Sequence, residues 1–264
     1  MKRLLLVDIG NTCMVFGLFD DELMLGRWQL SSERSLTADE LALKLRGLLA
    51  SLSESATDAS GFGVCGIMAA SVVPHLDPVL SEACEQVFGM QPLYVGAPNV
   101  KTGMAVDYKN PREVGADRIV NAVAAREAFG APVIVLDCGT ATTFDIVSPE
   151  GHYAGGLILP GMEVSLAALA GRAAKLPEVS FAASDELIGR DTAGSMQAGS
   201  YWAAVDGLSG IIRRLKAIPE YSAAPVVATG GLAGRIVGAL QDVDEHRPLL
   251  TLQGLLLLAR RHFR

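Results

Sequence analysis

Leu4-Leu5-Leu6-Val7-Asp8-Ile9-Gly10-Asn11-Thr12 stands near the start of the chain, and Pro132-Val133-Ile134-Val135-Leu136-Asp137-Cys138-Gly139-Thr140 repeats its pattern with the aspartates 129 residues apart. In each copy an all-apolar run ends in aspartate, glycine follows two residues later, and threonine comes soon after. An apolar run of four or five residues bounded by turn signals reads as a buried strand. The glycine permits a tight turn and close approach of the backbone. Amides and the threonine hydroxyl then become donors for phosphate, and the aspartate faces a metal or cation. One such copy would be ordinary turn chemistry. Two copies at almost half the chain length, with Thr229-Gly230-Gly231 further on to leave room for an adenosine, point to two related halves that together bind a nucleotide.

The pattern around each copy supports this. Met14 to Asp20 and Glu22 to Leu30 read as strands separated by the turn Asp20-Asp21, so three consecutive antiparallel strands are expected. Thr37-Ala38-Asp39-Glu40 has the spacing of a capping box and opens a leucine-rich helix. Val64 to Val73 is an apolar strand broken by Pro74, followed by a helix to about Phe88 and a short strand at Leu93 to Val95. The second half is expected to open with a helix from Pro111 through Phe129. After its apolar run come strands at Thr142 to Val147 and His152 to Leu159, then a helix from about Gly161. A long helix from Asp191 to Lys216, a strand from Pro225 to Thr229 and a last helix from about Leu252 to His262 complete it. The chain is α/β throughout. Ser51 to Ser60 reads as a surface loop.

Composition narrows the function. The 264 residues are half hydrophobic and 19% charged, enough apolar material for a sizeable core. Twenty-two basic against 29 acidic residues leave a net charge of −7 with no long basic run, which argues against a nucleic-acid partner. The four cysteines are far apart with no CxxC, so neither a disulfide framework nor a zinc site is indicated, and a reducing cytoplasm is expected. The first apolar run stops at Asp8, too early for a signal peptide, and Ala154 to Gly171 is interrupted by Pro160 and Glu163, so no membrane span is expected. Gly61 to Gly66 matches GxGxxG but precedes its strand, a chance match, and no GxxxxGK[ST] occurs. Gly115-Ala116-Asp117-Arg118 sets an acid beside a base early in the expected helix; taken alone it is a helix-start acid that suits the dipole. The histidines form no recognisable triad or metal set.

Taken together, these motifs resemble the type III pantothenate kinase family of the acetate and sugar kinase, heat-shock ATPase and actin superfamily. The likeness also runs through Ala70-Ser71-Val72-Val73-Pro74, Tyr108-Lys109-Asn110-Pro111-Arg112-Glu113-Val114, Gly155-Gly156-Leu157-Ile158-Leu159-Pro160-Gly161 and Gly189-Arg190-Asp191-Thr192. The resemblance implies two ribonuclease H-like, actin-like domains, at residues 1–112 and 113–264, with an active-site cleft between them. It implies ATP-dependent phosphorylation of pantothenate to 4′-phosphopantothenate, the first step of coenzyme A biosynthesis. Asp8, Ile9, Gly10, Asn11, Thr12, Cys13, Met14 and Val15 would form the first phosphate loop, with Thr140 also in the ATP site. Cys13 stands where the family often has Asn. Asp117 would accept the proton; Tyr108, Gly115, Ala116, Asp117, Arg118 and Thr192 would hold pantothenate; Asp137 would bind potassium or ammonium. A homodimer is implied as well.

Phosphoryl transfer to an alcohol gives these roles their chemistry. The γ-phosphate and hydroxyl must align, a metal must spread charge, and a carboxylate must take the proton late. Asp8 would face hydrated Mg²⁺, and the Arg118 guanidinium matches the pantothenate carboxylate as a bidentate fork. Two other readings remain open on sequence: a non-catalytic accessory factor in gene regulation, and a sugar or acetate kinase of the same fold.

Overall fold

The computed structural model describes residues 3–52 and 63–263. Most of the expected loop at Ser51 to Ser60, and Gly61 and Phe62 of the GxGxxG match, lie outside the described residues.

The first sheet contains β1 (Arg3–Ile9), β2 (Cys13–Asp20), β3 (Leu23–Ser31), β4 (Val64–Ser71) and β5 (Leu93–Tyr94), in the order β3-β2-β1-β4-β5. β1, β2 and β3 are antiparallel neighbours, whereas β4 runs parallel to β1 and β5 parallel to β4. The second sheet contains β6 (Val133–Cys138), β7 (Ala141–Val147), β8 (Tyr153–Pro160), β9 (Val226–Thr229) and β10 (Glu245–His246). Its order, read from the other edge, is β8-β7-β6-β9-β10, and the senses are the same. The internal repeat of the sequence is therefore a repeat of sheet topology. Asp8 and Asp137 occupy the same place, each the last but one residue of its central strand.

The chain folds into two compact units: Met1–Gly103, Asn110–Ala124 and Thr251–Arg264 in one, Met104–Lys109 and Ala125–Leu250 in the other. The sequence suggests a single cut after residue 112; instead the units interleave. The physical reason lies in the helices. The start of α3 (Ala116–Phe129) packs within the first unit, where a Cβ on Gly254 would lie 2.3 Å from the Val120 carbonyl oxygen. Gly254 belongs to α6 (Leu250–His262), which returns to the first sheet: a Cβ on Gly17 of β2 would meet Leu252, and one on Gly66 of β4 would meet the Phe263 ring. Glycines in two strands thus let the last helix lie close on that face. The opposite face is covered by α1 (Ala38–Ala50) and α2 (Asp77–Phe88), whose Leu41, Leu45, Leu49, Leu80 and Val87 join Val7, Ile9, Phe16 and Leu18 in one core. In the second unit, α4 (Met162–Arg172) and α5 (Thr192–Lys216) bring Leu166, Tyr201, Leu208 and Ile212 onto Leu136, Phe144 and Val226. Among the described residues no helix is long and apolar enough to cross a membrane.

The expected helix from Pro111 is a different structure. Pro111–Glu113 is a single 3-10 turn, Val114 is extended, and α3 begins only at Ala116. Asn110 causes the break. Its side-chain oxygen accepts from the Arg112 N–H (3.3 Å), its amide donates to Glu113 Oε1 (2.9 Å), and its carbonyl accepts from the Glu113 N–H (3.0 Å). Such local side-chain bonds compete with helix.

Candidate active site

In the first unit, the turn after β1 is closed by the Gly10 N–H donating to the Cys13 carbonyl (3.0 Å). A Cβ on Gly10 would lie 3.2 Å from that same oxygen, so the tightness of the turn depends on glycine. Ser32, at the end of β3, pins the turn from outside. Its hydroxyl donates to the Gly10 carbonyl (2.6 Å), and its N–H donates to the Thr12 carbonyl (3.0 Å). Asn11 and Thr12 are left exposed at the tip, while Met14 and Ile9 are in the core. Asp8 pairs with Val15 on one side and Ala70 on the other. Burial pushes the Cys13 thiol up, and the neighbouring Asp8 carboxylate adds to the effect, so Cys13 is a neutral member of the loop.

The Gly115 to Arg118 segment sits at the same edge of this sheet. The Val72 N–H, just past β4, donates to the Ile9 carbonyl (3.0 Å), and Val72 Cγ1 lies 3.3 Å from where a Gly115 Cβ would be. Such a Cβ would also be 2.5 Å from Asp117 Oδ1. The Asp117 carboxylate therefore curls back over Gly115, a position that a side chain at 115 would deny it. Asp117 Oδ1 accepts from the Arg118 N–H (2.8 Å), and Arg118 is 8% exposed. Burial pushes the Asp117 carboxyl above the usual aspartate range, against the opposing pull of the Arg118 N–H and guanidinium. The turn after β1 and the Asp117 carboxyl thus both stand at the carboxyl ends of the parallel strands β1 and β4, where open α/β sheets bind ligands.

The second unit repeats the arrangement with different side chains. The turn after β6 has the Gly139 N–H donating to the Ala141 carbonyl (3.0 Å), and Thr140 is exposed. Asp137 pairs with Thr143 of β7 and Thr229 of β9. A Cβ on Gly230, where φ is +94°, would lie 2.4 Å from Asp137 Oδ1, and one on Gly139 would lie 3.7 Å from it. The Asp137 carboxylate accordingly rests in a cradle of glycine backbone. Gly161, which caps α4, packs so closely under the turn that a Cβ there would be 2.2 Å from the Thr140 carbonyl oxygen.

Thr192, the first residue of α5, lines a cavity of about 590 Å³ with Thr142, Leu159, Met162, Ser165 and Met196. Asp191 caps the helix by accepting from the Gly194 N–H (2.7 Å). Tyr108 is elsewhere in this unit, packed against Tyr153 and Gly155, and does not line that cavity.

Comparison with known proteins gives the family. A family model described as type III pantothenate kinase matches residues 4–214. The type III pantothenate kinase of Moorella thermoacetica is 45% identical over 259 residues, covering 98% of this chain and 99% of that protein. The chain belongs to the type III pantothenate kinase family.

The type III pantothenate kinase of Streptomyces griseus is 43% identical over 263 residues, covering 98% of each chain. Solved structures show the actin-like fold alone. A conserved Baf family transcriptional activator from Campylobacter jejuni superposes with a TM-score of 0.59 at 19% identity, over 98% of both chains. MreB 5 of Spiroplasma citri, bound to AMPPNP, gives 0.54 at 6% identity over 99% of this chain and 97% of that one.

In this pantothenate kinase family member, sequence reading overlooked two supports of the site. Ser32 carries no motif, because a serine at a strand end is too common to signal that it pins a loop 22 residues earlier. Gly161 closes the Gly155 to Gly161 motif, but only its contact with Thr140 shows what the glycine is for.

Proposed function

We infer that this chain transfers the γ-phosphoryl group of ATP to the primary hydroxyl of pantothenate, giving 4′-phosphopantothenate and ADP, with Asp117 as proton acceptor. The observation that carries the assignment of Asp117 is its carboxylate, held over Gly115 at the same sheet edge as the phosphate loop and raised in pKa by burial. The pantothenate hydroxyl oxygen bonds to the γ-phosphorus as the bond from that phosphorus to the β–γ bridging oxygen breaks. The hydroxyl proton passes to Asp117. Even with a raised pKa, a carboxylate is too weak a base to ionise an alcohol in the ground state, so it orients the hydroxyl and takes the proton late.

The residues Asp8 to Val15 and Thr140 hold the ATP phosphates, and Thr229 to Gly231 leave room for the adenosine. Arg118 meets the pantothenate carboxylate, while Tyr108, Gly115, Ala116 and Thr192 shape the remainder of its site. Asp8 fits hydrated Mg²⁺. Among the described residues no three His, Cys, Asp or Glu side chains gather as a metal cage, and a site of one carboxylate completed by substrate phosphates is the usual magnesium arrangement. When bound, Mg²⁺ supplies neutralisation of phosphate charge. The glycine cradle round Asp137 suits a weakly hydrated monovalent cation, potassium or ammonium, coordinated by the carboxylate and backbone carbonyls. The protein works as a homodimer in the cytoplasm. The four cysteines are free, and burial pushes the Cys84 and Cys138 thiols up to about 12, so both stay protonated and unreactive at neutral pH.

A coupled assay of ADP release tests the cation reading. With ATP, Mg²⁺ and pantothenate, activity should be high in potassium and nearly absent in sodium, and Asp137→Asn should be poorly rescued by high potassium. Equal activity in sodium, or an unaltered potassium dependence in Asp137→Asn, would remove the cation from Asp137 and leave its carboxylate as a turn cap.

A further inference from the structure

Tyr108 is 38% exposed, yet the chain beneath it is held from several directions. The Tyr153 N–H donates to the Ala105 carbonyl (2.8 Å) and the Asp107 N–H donates to the Tyr153 carbonyl (2.9 Å), so Val106 and Tyr153 form a parallel bridge. Asp107 Oδ2 lies 3.0 Å from His152 Nδ1. The rings of Tyr108 and Tyr153 meet edge to face, with centroids 6.5 Å apart at 61°. Gly155, at φ +121°, leaves its Cα bare beneath the Tyr108 ring, for a Cβ there would be 3.7 Å from Tyr108 Cε2.

Tyr153 is itself anchored. It is fully buried, and its hydroxyl donates to Asp145 Oδ1 (2.8 Å), a carboxylate with no exposure whose other oxygen accepts from the Thr143 hydroxyl (3.4 Å). A hydrogen bond between two buried groups cannot be exchanged for water without leaving a polar atom unpaired, and so it fixes the ring. The phosphoryl transfer uses neither residue. Their effect is on Tyr108: backbone on one side and ring on the other fix both the height of the 105–108 segment and the tilt of the exposed ring.

We propose that Tyr153, locked by Asp145, is a positioning residue that presents Tyr108 to pantothenate and so sets the affinity for that substrate. The proposal rests on the reading of Tyr108 as a pantothenate-binding side chain. A preorganised ring binds without the ordering cost that a swinging one would incur. Loss of the anchor therefore weakens pantothenate binding and leaves ATP binding alone.

Steady-state kinetics on Tyr153→Phe, Tyr108→Ala and the double variant test this. Tyr153→Phe keeps the ring and removes only the hydroxyl. It should raise the pantothenate KM by about 3- to 10-fold, keep the ATP KM within about 2-fold, and move kcat less than the pantothenate KM. In the Tyr108→Ala background the same substitution should add less than about 2-fold, because the residue through which it acts is gone. KM does not depend on the fraction of enzyme that is active, so partial misfolding of a variant does not blur the result. An unchanged pantothenate KM in Tyr153→Phe, or the same rise with and without Tyr108, overturns the proposal while the reading of Tyr108 stands. A Tyr108→Ala variant whose pantothenate KM matches wild type overturns that reading, and the proposal with it.

Discussion

Asp117 shows how one side chain acquires a property its type lacks. A free aspartate ionises near 3.9, and the helix start that carries Asp117 favours its charged form. Burial outweighs both that dipole and the nearby Arg118, and the pKa rises. Below the ordinary aspartate range the carboxyl is protonated in folded and unfolded chains alike, so nothing is lost by burying it. As pH rises through the raised folded value, the folded protein must hold a charge that the unfolded chain carries more easily, and stability falls. Asp117→Asn should therefore melt no lower than wild type at neutral pH, and above it where burial dominates. The gap should close on acidification toward about pH 4. Scanning calorimetry across pH checks this; a variant that melts well below wild type at neutral pH would make the carboxylate charge a stabilising one.

Elements were legible wherever local chemistry decided them. The capping box at Thr37 is present in full: the Thr37 N–H donates to Glu40 Oε2 (2.9 Å) and the Glu40 N–H to Thr37 Oγ1 (3.3 Å). The Thr37 N–H, together with the Thr37 hydroxyl that donates to the same oxygen (2.9 Å), holds the Glu40 carboxyl below its usual range, so the Glu40 half of the cap contributes above that range and is lost as pH falls through the lowered value. Thr37→Ala should lower Tm at neutral pH by about 2–4 °C, as loss of an N-cap in a protein of this size does. An unchanged melting curve would mean that packing of Leu41 and Leu45 fixes α1 without its cap. The two strand-end motifs and the long helices could be read for the same reason, since apolar runs and caps are local signals. The segment at Pro111 was not, because proline at a helix start and a 3-10 turn closed by Asn110 share one sequence signature. The supports of the site were hidden too. Ser32 under Gly10, Gly161 under Thr140 and Tyr153 under Tyr108 are contacts between separate elements, and nothing in the spacing of residues announces them.

At the scale of the whole molecule, topology explains how one chain carries the same strand-end turn twice. Both sheets place an aspartate next to the end of a central strand with a parallel neighbour beside it. The second unit also exposes Ile158, Val164, Leu169, Leu187 and Ile188, and mean hydropathy is +0.33. So much apolar surface is what a subunit interface would cover. Light scattering in the presence of substrates should return twice the 27.7 kDa of one chain, and a persistent monomer at micromolar concentration would contradict the homodimer. The most direct measurement follows the product itself. Wild-type protein and Asp117→Asn are each incubated with ATP, Mg²⁺, potassium and pantothenate, and 4′-phosphopantothenate is quantified by mass spectrometry beside ADP. Wild type should form the two products in equal amounts, with the variant slower by about 10²-fold or more, the scale of losing a positioned acid or base. No 4′-phosphopantothenate from wild type, or a variant within a few-fold of it, would contradict the account.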